Sequence, residues 1–374
     1  MRRKKLVLAF LAFLLTNQKD LQAIELNEKI SLSGNISLVH QWLEKERGDF
    51  KEKDRGAGVV DATLSVKLTP NDEFAIRVGW AKENGINKYS PFYLKPLAMD
   101  LRDDLHNING RSRDHIKELW YAKSLNISAN STLKMTLGII DATAFIDENR
   151  FANDEYTQFM NEVFVNNPLA NLISYDYGVA LEWEKNPFTL KLIGMQSKTE
   201  EERKLYNYVG IELGTKWENL LGEGNLRVYG YRTNKKFPNW DSDFPKRKAL
   251  KGLGISFDHD LVKDRLGIFT RLGFQDDKAQ VDYKSMYSLG INSNVCLYNK
   301  KITLGVGYGF LKAPSKHPEL KNTRVYEGYI ALPLYEKGGF SSVLTFDWQY
   351  MRDKLKEEVD RKGNIWGVRL NLGF

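Results

Sequence analysis

Residues 364–374, NIWGVRLNLGF, decide how the rest of the chain is interpreted. Large apolar side chains occupy every second position, at Trp366, Val368, Leu370 and Leu372, and glycine or polar residues stand between them. Because successive side chains of a β-strand point to opposite faces, one face of this strand is apolar and the other is small, polar and basic. Such a strand suits a wall between lipid and water, and a strand of a soluble sandwich is the alternative.

Residues 1–23 predict a secretory signal peptide. Four consecutive cations, Arg2 to Lys5, precede the unbroken apolar run 6–15, and a polar stretch then ends in Leu21-Gln22-Ala23. An apolar run of ten residues is too short to span a bilayer as a helix. We therefore expect export, with cleavage after Ala23, and a single domain over residues 24–374.

The composition narrows the class of protein. The whole chain carries a formal charge of +7, but the predicted signal peptide holds five cations and one acid, so residues 24–374 carry only +3. These charges are mixed along the chain, which argues against a nucleic-acid partner. The single Cys296 and five scattered histidines form neither a disulfide framework nor a metal-ligand pattern, and we expect no metal and no other cofactor.

Alternating apolarity recurs in segments of roughly ten residues, separated by turn-forming residues. After Leu15 there is no apolar run long enough for a membrane helix, and the mean hydropathy is only −0.46. A membrane protein of this composition must therefore cross with strands. About sixteen such segments are present, an even number as bacterial barrels require: 29–42, 58–69, 72–81, 115–125, 130–140, 174–184, 187–198, 206–217, 224–234, 249–258, 265–275, 283–293, 301–312, 324–333, 341–351 and 364–374.

The connections between these segments carry a second pattern. Even-numbered links are mostly tight turns, such as Pro70-Asn71 and Asn186-Pro187, whereas several odd-numbered links are longer and more charged. Short periplasmic turns alternating with long external loops are typical of outer-membrane barrels. We therefore predict an all-β transmembrane antiparallel barrel of about sixteen strands with a water-filled lumen. The long links are 43–57, 82–114, 141–173, 235–248, 313–323 and 352–363.

The third long link, 141–173, is the candidate functional segment. It is rich in carboxylates and carboxamides, with Phe145, Phe151, Tyr156, Phe159 and Phe164 spaced among them. A loop of this length in a compact protein is usually functional. Its aromatic side chains can pack against the barrel wall and leave polar groups facing a pore. The expected pore-facing residues are Asp147, Asn149, Asp154, Glu155 and Gln158.

This segment also resembles the carbohydrate-selective porin family of the OprB type. The resemblance runs from Leu137 to Asn167, and that family has a similar Asp/Asn-rich, Gln-Phe-containing segment after an early strand. It implies a sixteen-stranded barrel whose third loop folds inward and narrows the pore. The residues that carry it are Leu137-Gly138-Ile139-Ile140-Asp141, Phe145, Asp147, Asn149, Ala152-Asn153-Asp154-Glu155, Gln158-Phe159, Asn161, Phe164 and Asn166-Asn167.

Inward-facing cations are the expected partners of this acidic loop. Carboxylates, carboxamides and guanidinium groups can replace the water around sugar hydroxyls, and aromatic faces suit the CH surfaces of a sugar. In the alternative interpretation these cations only pair with the neighbouring Glu182, Glu212 and Asp347. The candidate wall residues are Lys67, Arg77, Lys134, Arg271 and Arg369.

The sequence therefore predicts a porin of the bacterial outer membrane, not an enzyme, that passes small hydrophilic solutes such as sugars. An anion- or phosphate-selective porin is the first alternative, and a barrel enzyme is the second, although no nucleophile-elbow motif is present. Asp147-Glu148-Asn149 could hold calcium but lacks the spacing of a dedicated loop. The expected partners are outer-membrane lipid, lipopolysaccharide and, in a homotrimer, two further copies of the chain.

Overall fold

The computed structural model describes residues 24–199, 202–241, 246–297 and 300–374. Sixteen antiparallel strands form a closed barrel, in which each strand pairs with the next along the chain and the last pairs with the first. The predicted fold is confirmed. The strands are β1 Ile30–Arg47, β2 Lys53–Thr69, β3 Asp72–Lys82, β4 Ile116–Ser128, β5 Ser131–Ile140, β6 Asp176–Lys185, β7 Phe188–Lys198, β8 Leu205–Asn219, β9 Gly222–Thr233, β10 Lys251–Val262, β11 Leu266–Gln275, β12 Ser285–Leu297, β13 Lys300–Lys312, β14 Leu320–Lys337, β15 Phe340–Leu355 and β16 Arg361–Gly373.

Each predicted segment coincides with one strand, but several strands extend further toward the long loops than expected. The first link is only 48–52 rather than 43–57, because β1 and β2 stay paired as far as Leu43 and Lys53. The last link likewise shrinks to 356–360. Beyond the lipid layer both faces of a strand meet water, so backbone pairing continues after the apolar alternation has ended.

The two faces of the wall separate as the terminal strand predicts. On β16, Trp366 is 47% exposed on the outside, and Leu370 and Leu372 share its face. Arg369 is 0% exposed and points inward with Asn371. The outer surface is therefore a hydrocarbon-facing band and the inner surface is polar, the arrangement of a transmembrane barrel.

Two long loops lie inside the barrel. Loop L2 is residues 83–115, between β3 and β4, and loop L3 is residues 141–175, between β5 and β6. L3 contains one α-helical turn, α1 Glu162–Val165, which is capped by the side chain of Asn161, and two 3-10 turns, Ala142–Ala144 and Pro168–Ala170. Two short pairings lie outside the barrel proper: Ile24–Asn27 against β1, and Phe237–Pro238 against Arg247–Lys248.

Among the described residues, no helix is long and apolar enough to cross a membrane. The predicted signal peptide, residues 1–23, lies outside the described part of the chain.

The hydrophobic core sits between L3 and the inner wall. Phe159 and Phe164 of L3 pack against Phe269 of β11 and Tyr329 of β14, with ring centroids 5.0 to 6.2 Å apart. Lumen-facing glycines on β13 make room for them, since a Cβ atom at Gly307 would come within 2.7 Å of the Phe164 ring. The glycines of β13 therefore leave the space that L3 needs to pack against the wall.

Candidate functional site

Arg271 of β11 fixes L3 to the wall. Its guanidinium is fully buried and donates to the Asp147 carboxylate at 3.1 Å and to the carbonyl oxygens of Phe164 and Val165 at 2.6 and 3.2 Å. Asp147 also accepts hydrogen bonds from the Asn167 amide at 2.6 Å and the Tyr229 hydroxyl at 3.1 Å. One ion pair therefore holds both limbs of L3, because residues 147 and 164–167 converge on it.

A second anchor lies on β10. Arg150 donates to Asp258 at 2.6 Å and to Asp260 at 3.2 Å. Asn149 donates to the Ser256 hydroxyl at 3.2 Å and to the Phe257 carbonyl at 3.1 Å. These contacts turn the side chains of residues 149 and 150 into the wall and away from the lumen.

A third anchor joins the middle of L3 to the last strands. The carboxylate of Glu327 on β14 accepts from the backbone amides of Met160 and Asn161, at 2.5 and 3.1 Å. Arg369 of β16 donates to the carbonyl oxygens of Glu155 and Gln158, the latter at 2.9 Å. L3 therefore spans the barrel interior from its attachment on β5 to β16.

Loop L2 also occupies part of the barrel interior. The carbonyl of Pro96 accepts from Gln41 of β1 at 3.3 Å and from Gln349 of β15 at 2.9 Å. The Ala98 amide donates to the Met160 carbonyl at 2.8 Å, so L2 and L3 run side by side across the lumen.

A buried cluster of charged side chains holds L2 against the barrel wall. The ammonium of Lys117 lies 2.6 Å from Asp100 and 2.9 Å from Asp61 of β2. Tyr175 donates to Asp100 at 2.6 Å, and Tyr156 donates to Asp61 at 2.6 Å. One ammonium between two carboxylates thus joins the wall and both loops.

Between the two loops and β3 lies a polar cavity of about 490 Å³. Its charged groups are mostly acidic, its aromatic side chains are Tyr156 and Tyr175, and Arg77 comes from the barrel wall. Arg77 itself lies 3.1 Å from Glu118 and 3.5 Å from Asp61. The ionisable and aromatic lining residues are Arg77, Lys95, Asp100, Asp141, Asp154, Glu155, Tyr156, Glu162 and Tyr175.

The carboxyl groups of the loops differ in acidity. Burial raises the pKa of Glu155 to about 8, and the carboxylates of Asp154 and Asp100 add to the effect. Burial likewise raises the pKa of Asp141 to about 6. For Asp100 burial acts in the same direction, but the Lys117 ammonium outweighs it and holds the pKa below its usual range. The cavity therefore combines a carboxylate that stays ionised with one that titrates slightly above neutral pH.

The structure divides the predicted loop residues into two groups. Asp154 and Glu155 line the cavity. Asp147 and Asn149 are buried against the wall instead, because they are used to anchor L3. Gln158 bonds within L3, to the Arg150 carbonyl and the Asn153 amide at 2.8 Å each, so the expected pore-facing position does not hold for these three residues.

The predicted wall cations also separate. Arg77 lines the cavity, and Lys134 faces the lumen beside Glu182, its partner in the β5–β6 register. Arg271 and Arg369 bind L3 and do not face the opening. Lys67 is exposed near the Pro70-Asn71 turn, at the opposite end of the barrel from the long loops. Lys67, Arg271 and Arg369 therefore do not form a basic wall opposite the acidic residues of L3.

The contribution of L2 was missed by the sequence interpretation. Asp100 lines the cavity, and buried apolar residues of L2, including Leu94, Leu97, Leu101 and Leu105, hold the loop inside. This run of spaced leucines was the available signal, because an external loop in water has no reason to carry it. Among the described residues, no cluster of three or more His, Cys, Asp or Glu side chains is arranged to hold a metal ion.

Comparison with known proteins places the chain among barrels of this kind. No family model matches it. An uncharacterized protein of Aquifex aeolicus is 30% identical over 282 residues, which cover 75% of each chain. The structure is similar to OprB of Pseudomonas putida, with a TM-score of 0.73, 11% identity and coverage of 92% of this chain and 94% of the other.

Two further solved structures share the fold more distantly. The outer-membrane channel DcaP of Acinetobacter baumannii matches with a TM-score of 0.54 and 10% identity, over 92% of this chain and 97% of that one. A mutant of the Rh. blastica porin matches with a TM-score of 0.52 and 11% identity, over 92% and 100%. The resemblance to the OprB type is thus confirmed for the fold.

Proposed function

We propose, from the premise that this chain belongs to one family with the Aquifex aeolicus relative and has the fold of outer-membrane porins, that it is a porin of a bacterial outer membrane. It would provide a water-filled path for passive diffusion of small hydrophilic solutes. The observation that carries the proposal is the polar cavity left open between L2, L3 and Arg77, in a barrel whose outer face is apolar. The predicted homotrimer and the contact with lipopolysaccharide belong to the same proposal.

We propose carbohydrates as the solute class, because the cavity offers the groups that sugars exchange for water. Carboxylates at Asp100 and Asp154 accept hydrogen bonds from hydroxyls, and Arg77 donates them. The rings of Tyr156 and Tyr175 supply flat apolar faces with a polar edge. Several shallow contacts suit a channel better than one deep site, since a solute must also leave.

The charges of the cavity do not support the anion-selective alternative. Five carboxyl groups line it, of which Glu155 is mostly neutral below pH 8, against the two cations Arg77 and Lys95. Arg271 and Arg369, which could have attracted anions, are buried in contacts with L3. A negative potential in a narrow opening attracts cations and tolerates neutral solutes, but it repels phosphate.

The double variant Asp154→Asn with Glu155→Gln should lower cation permeability relative to anions. The pair lines the cavity, and charges act more strongly in a confined site than in bulk water. The effect should be largest above pH 8, where Glu155 is also ionised. Reversal potentials in a salt gradient across planar bilayers measure this, and the difference should shrink at high salt. Current block by glucose and its oligomers, recorded on the same channels, tests the carbohydrate assignment.

The matched control is Glu357→Gln with Glu358→Gln, two adjacent exposed carboxylates on the external link 356–360. This variant should leave selectivity unchanged. If the two double variants behave alike, the cavity does not control ion passage. If wild-type channels conduct but no sugar reduces their current, the porin role stands and the carbohydrate assignment fails.

Cation selectivity should also rise between pH 7 and pH 9. Glu155, with a pKa of about 8, is mostly neutral below that pH and gains a negative charge above it. Between pH 7 and pH 9 the reversal potential of the wild type should therefore move toward the equilibrium potential of the cation. The reversal potential of the single variant Glu155→Gln should stay constant over the same range. An equal rise in both proteins would assign the titration to another group.

A further inference from the structure

A groove on the outer face of the barrel is not accounted for by solute passage. It spans β8 to β11 near the end that carries the long loops and encloses about 1090 Å³. Its apolar part is formed by the outward side chains of Val209, Ile211, Leu253 and Phe274.

The groove exists because one outward position lacks a side chain. Gly230 of β9 lies between Ile211 and Leu253 in the strand register, where its neighbours along the row are large apolar residues. A Cβ atom at Gly230 would come within 3.0 Å of Leu253. Gly230 therefore leaves a notch in the floor of the groove, and a larger residue at this position would fill the notch.

Cationic side chains line one edge of the groove, which is called the rim below. Arg232 of β9 stands directly opposite Lys251 of β10, and both are exposed on the lipid-facing side, with Lys235 nearby. Like charges in directly opposed positions destabilise a sheet. Lys251 has an acidic partner, Asp276, at 3.0 Å, but among the ion pairs of the described residues Arg232 has none. The rim therefore keeps an excess of positive charge that an anion would offset.

The position of this charge in the membrane restricts what can bind. The rim adjoins residues 202–204, 234–241, 246–250 and 276–284, which lie at the external end of a porin barrel. The apolar floor lies below it, at the depth of acyl chains. A ligand must therefore be a lipid, with hydrocarbon against the floor and an anionic headgroup against the rim.

We propose that this groove is a binding site for lipopolysaccharide, with an acyl chain seated over Gly230 and a lipid A phosphate between Arg232 and Lys251. A phosphate oxygen accepts hydrogen bonds from a guanidinium in a paired geometry and from an ammonium as a point charge. Its presence removes the repulsion between the two opposed cations. The inference rests on the outer-membrane location given under the proposed function, but not on the solute that the channel passes.

The test is a titration of the purified barrel, in detergent micelles, with bisphosphorylated lipid A, followed by native mass spectrometry. The double variant Arg232→Gln with Lys251→Gln should bind about 30-fold more weakly, since each cation near a membrane surface contributes roughly fivefold. The control Lys82→Gln removes an exposed outward cation at the same end of β3, where the opposed residue is Gly58 and not a second cation. It should bind as the wild type does.

Two further measurements separate the possible outcomes. Dephosphorylated lipid A should bind the wild type and the double variant equally, because the rim then has no anion to hold. Gly230→Phe should lower the affinity for both lipids, since its ring fills the notch. Equal binding of lipid A by the wild type, the double variant and Gly230→Phe would overturn the proposal, as would a preference for phosphatidylglycerol over lipid A.

Channel recordings on the same variants distinguish this inference from the proposed function. All of the substituted residues face away from the lumen, so conductance and selectivity should stay at wild-type values. Loss of lipid binding with intact conductance would support a separate lipid site. Intact lipid A binding in a protein that forms no channels would instead contradict the porin role and leave the groove in place.

Discussion

Replacing Arg271 by leucine is expected to release L3 from the barrel wall and to widen the channel. The substitution deletes the donor to Asp147 and to the carbonyls of Phe164 and Val165, and it leaves a fully buried carboxylate without its cation. Removal of one partner of a buried ion pair lowers the free energy of unfolding by about 3–5 kcal/mol. Single-channel conductance should rise, sugar block should disappear, and L3 should become sensitive to added protease.

The companion variant carries Asp147→Leu as well as Arg271→Leu. Replacement of a whole buried pair by apolar residues is far less costly than removal of one partner, so the double variant should recover part of the wild-type conductance and protease resistance. Lys134→Leu, at a lumen-facing cation that does not anchor L3, serves as the control for loop release and should leave the protease resistance of L3 unchanged. Unchanged conductance in Arg271→Leu would mean that L3 holds its position without this anchor.

Leu370→Arg is expected to destabilise the barrel by about 2–4 kcal/mol. Leu370 faces outward on β16, midway between the aromatic residues Trp366 and Phe374, which places it near the centre of the hydrocarbon layer. A charge at the bilayer midplane is costly because it loses its water without gaining a partner. Reversible unfolding in denaturant from lipid vesicles measures the difference in the free energy of unfolding.

The neighbouring variant Asn371→Arg is the matched comparison. Asn371 points into the lumen, where its carboxamide oxygen accepts a hydrogen bond from Ser37. An arginine there loses that bond, but its longer side chain can reach the polar lumen rather than lipid, so we expect a cost of about 1 kcal/mol. Similar costs at positions 370 and 371 would contradict the assignment of the two faces.

The sixteen strands could be predicted from the sequence because lipid imposes a strict rule on alternate residues. The C-terminal strand shows why: a polar residue at position 368 or 370 would face hydrocarbon, so the pattern is maintained. The strand ends were predicted less well, since in β1 and β2 the last paired residues stand beyond the lipid and obey no such rule.

The roles of the loop residues could not be predicted in the same way. Asp147 and Asp154 are both acidic residues of one polar-aromatic loop, yet one is buried beneath Arg271 and the other lines the cavity. The difference depends on which wall residues the loop meets, and those come from strands more than 100 residues away in sequence. Composition indicated that L3 is functional, but it did not distinguish anchoring groups from exposed ones.

L3 is attached mainly to one side of the barrel wall. The lumen is therefore divided into a part that is filled by L3 and a part that remains open for conduction. Most of the anchors of L3 lie on β7 to β11 and on β14 to β16, whereas β3 to β6 carry Arg77, Glu118, Lys134 and Glu182 toward the remaining space. The axis of transport is consequently displaced from the axis of the barrel. Anyone redesigning this protein as a nanopore could therefore change selectivity at Arg77, Glu118, Lys134 and Glu182, while Lys117 of β4 and the inner faces of β7 to β11 and β14 to β16 tolerate little change.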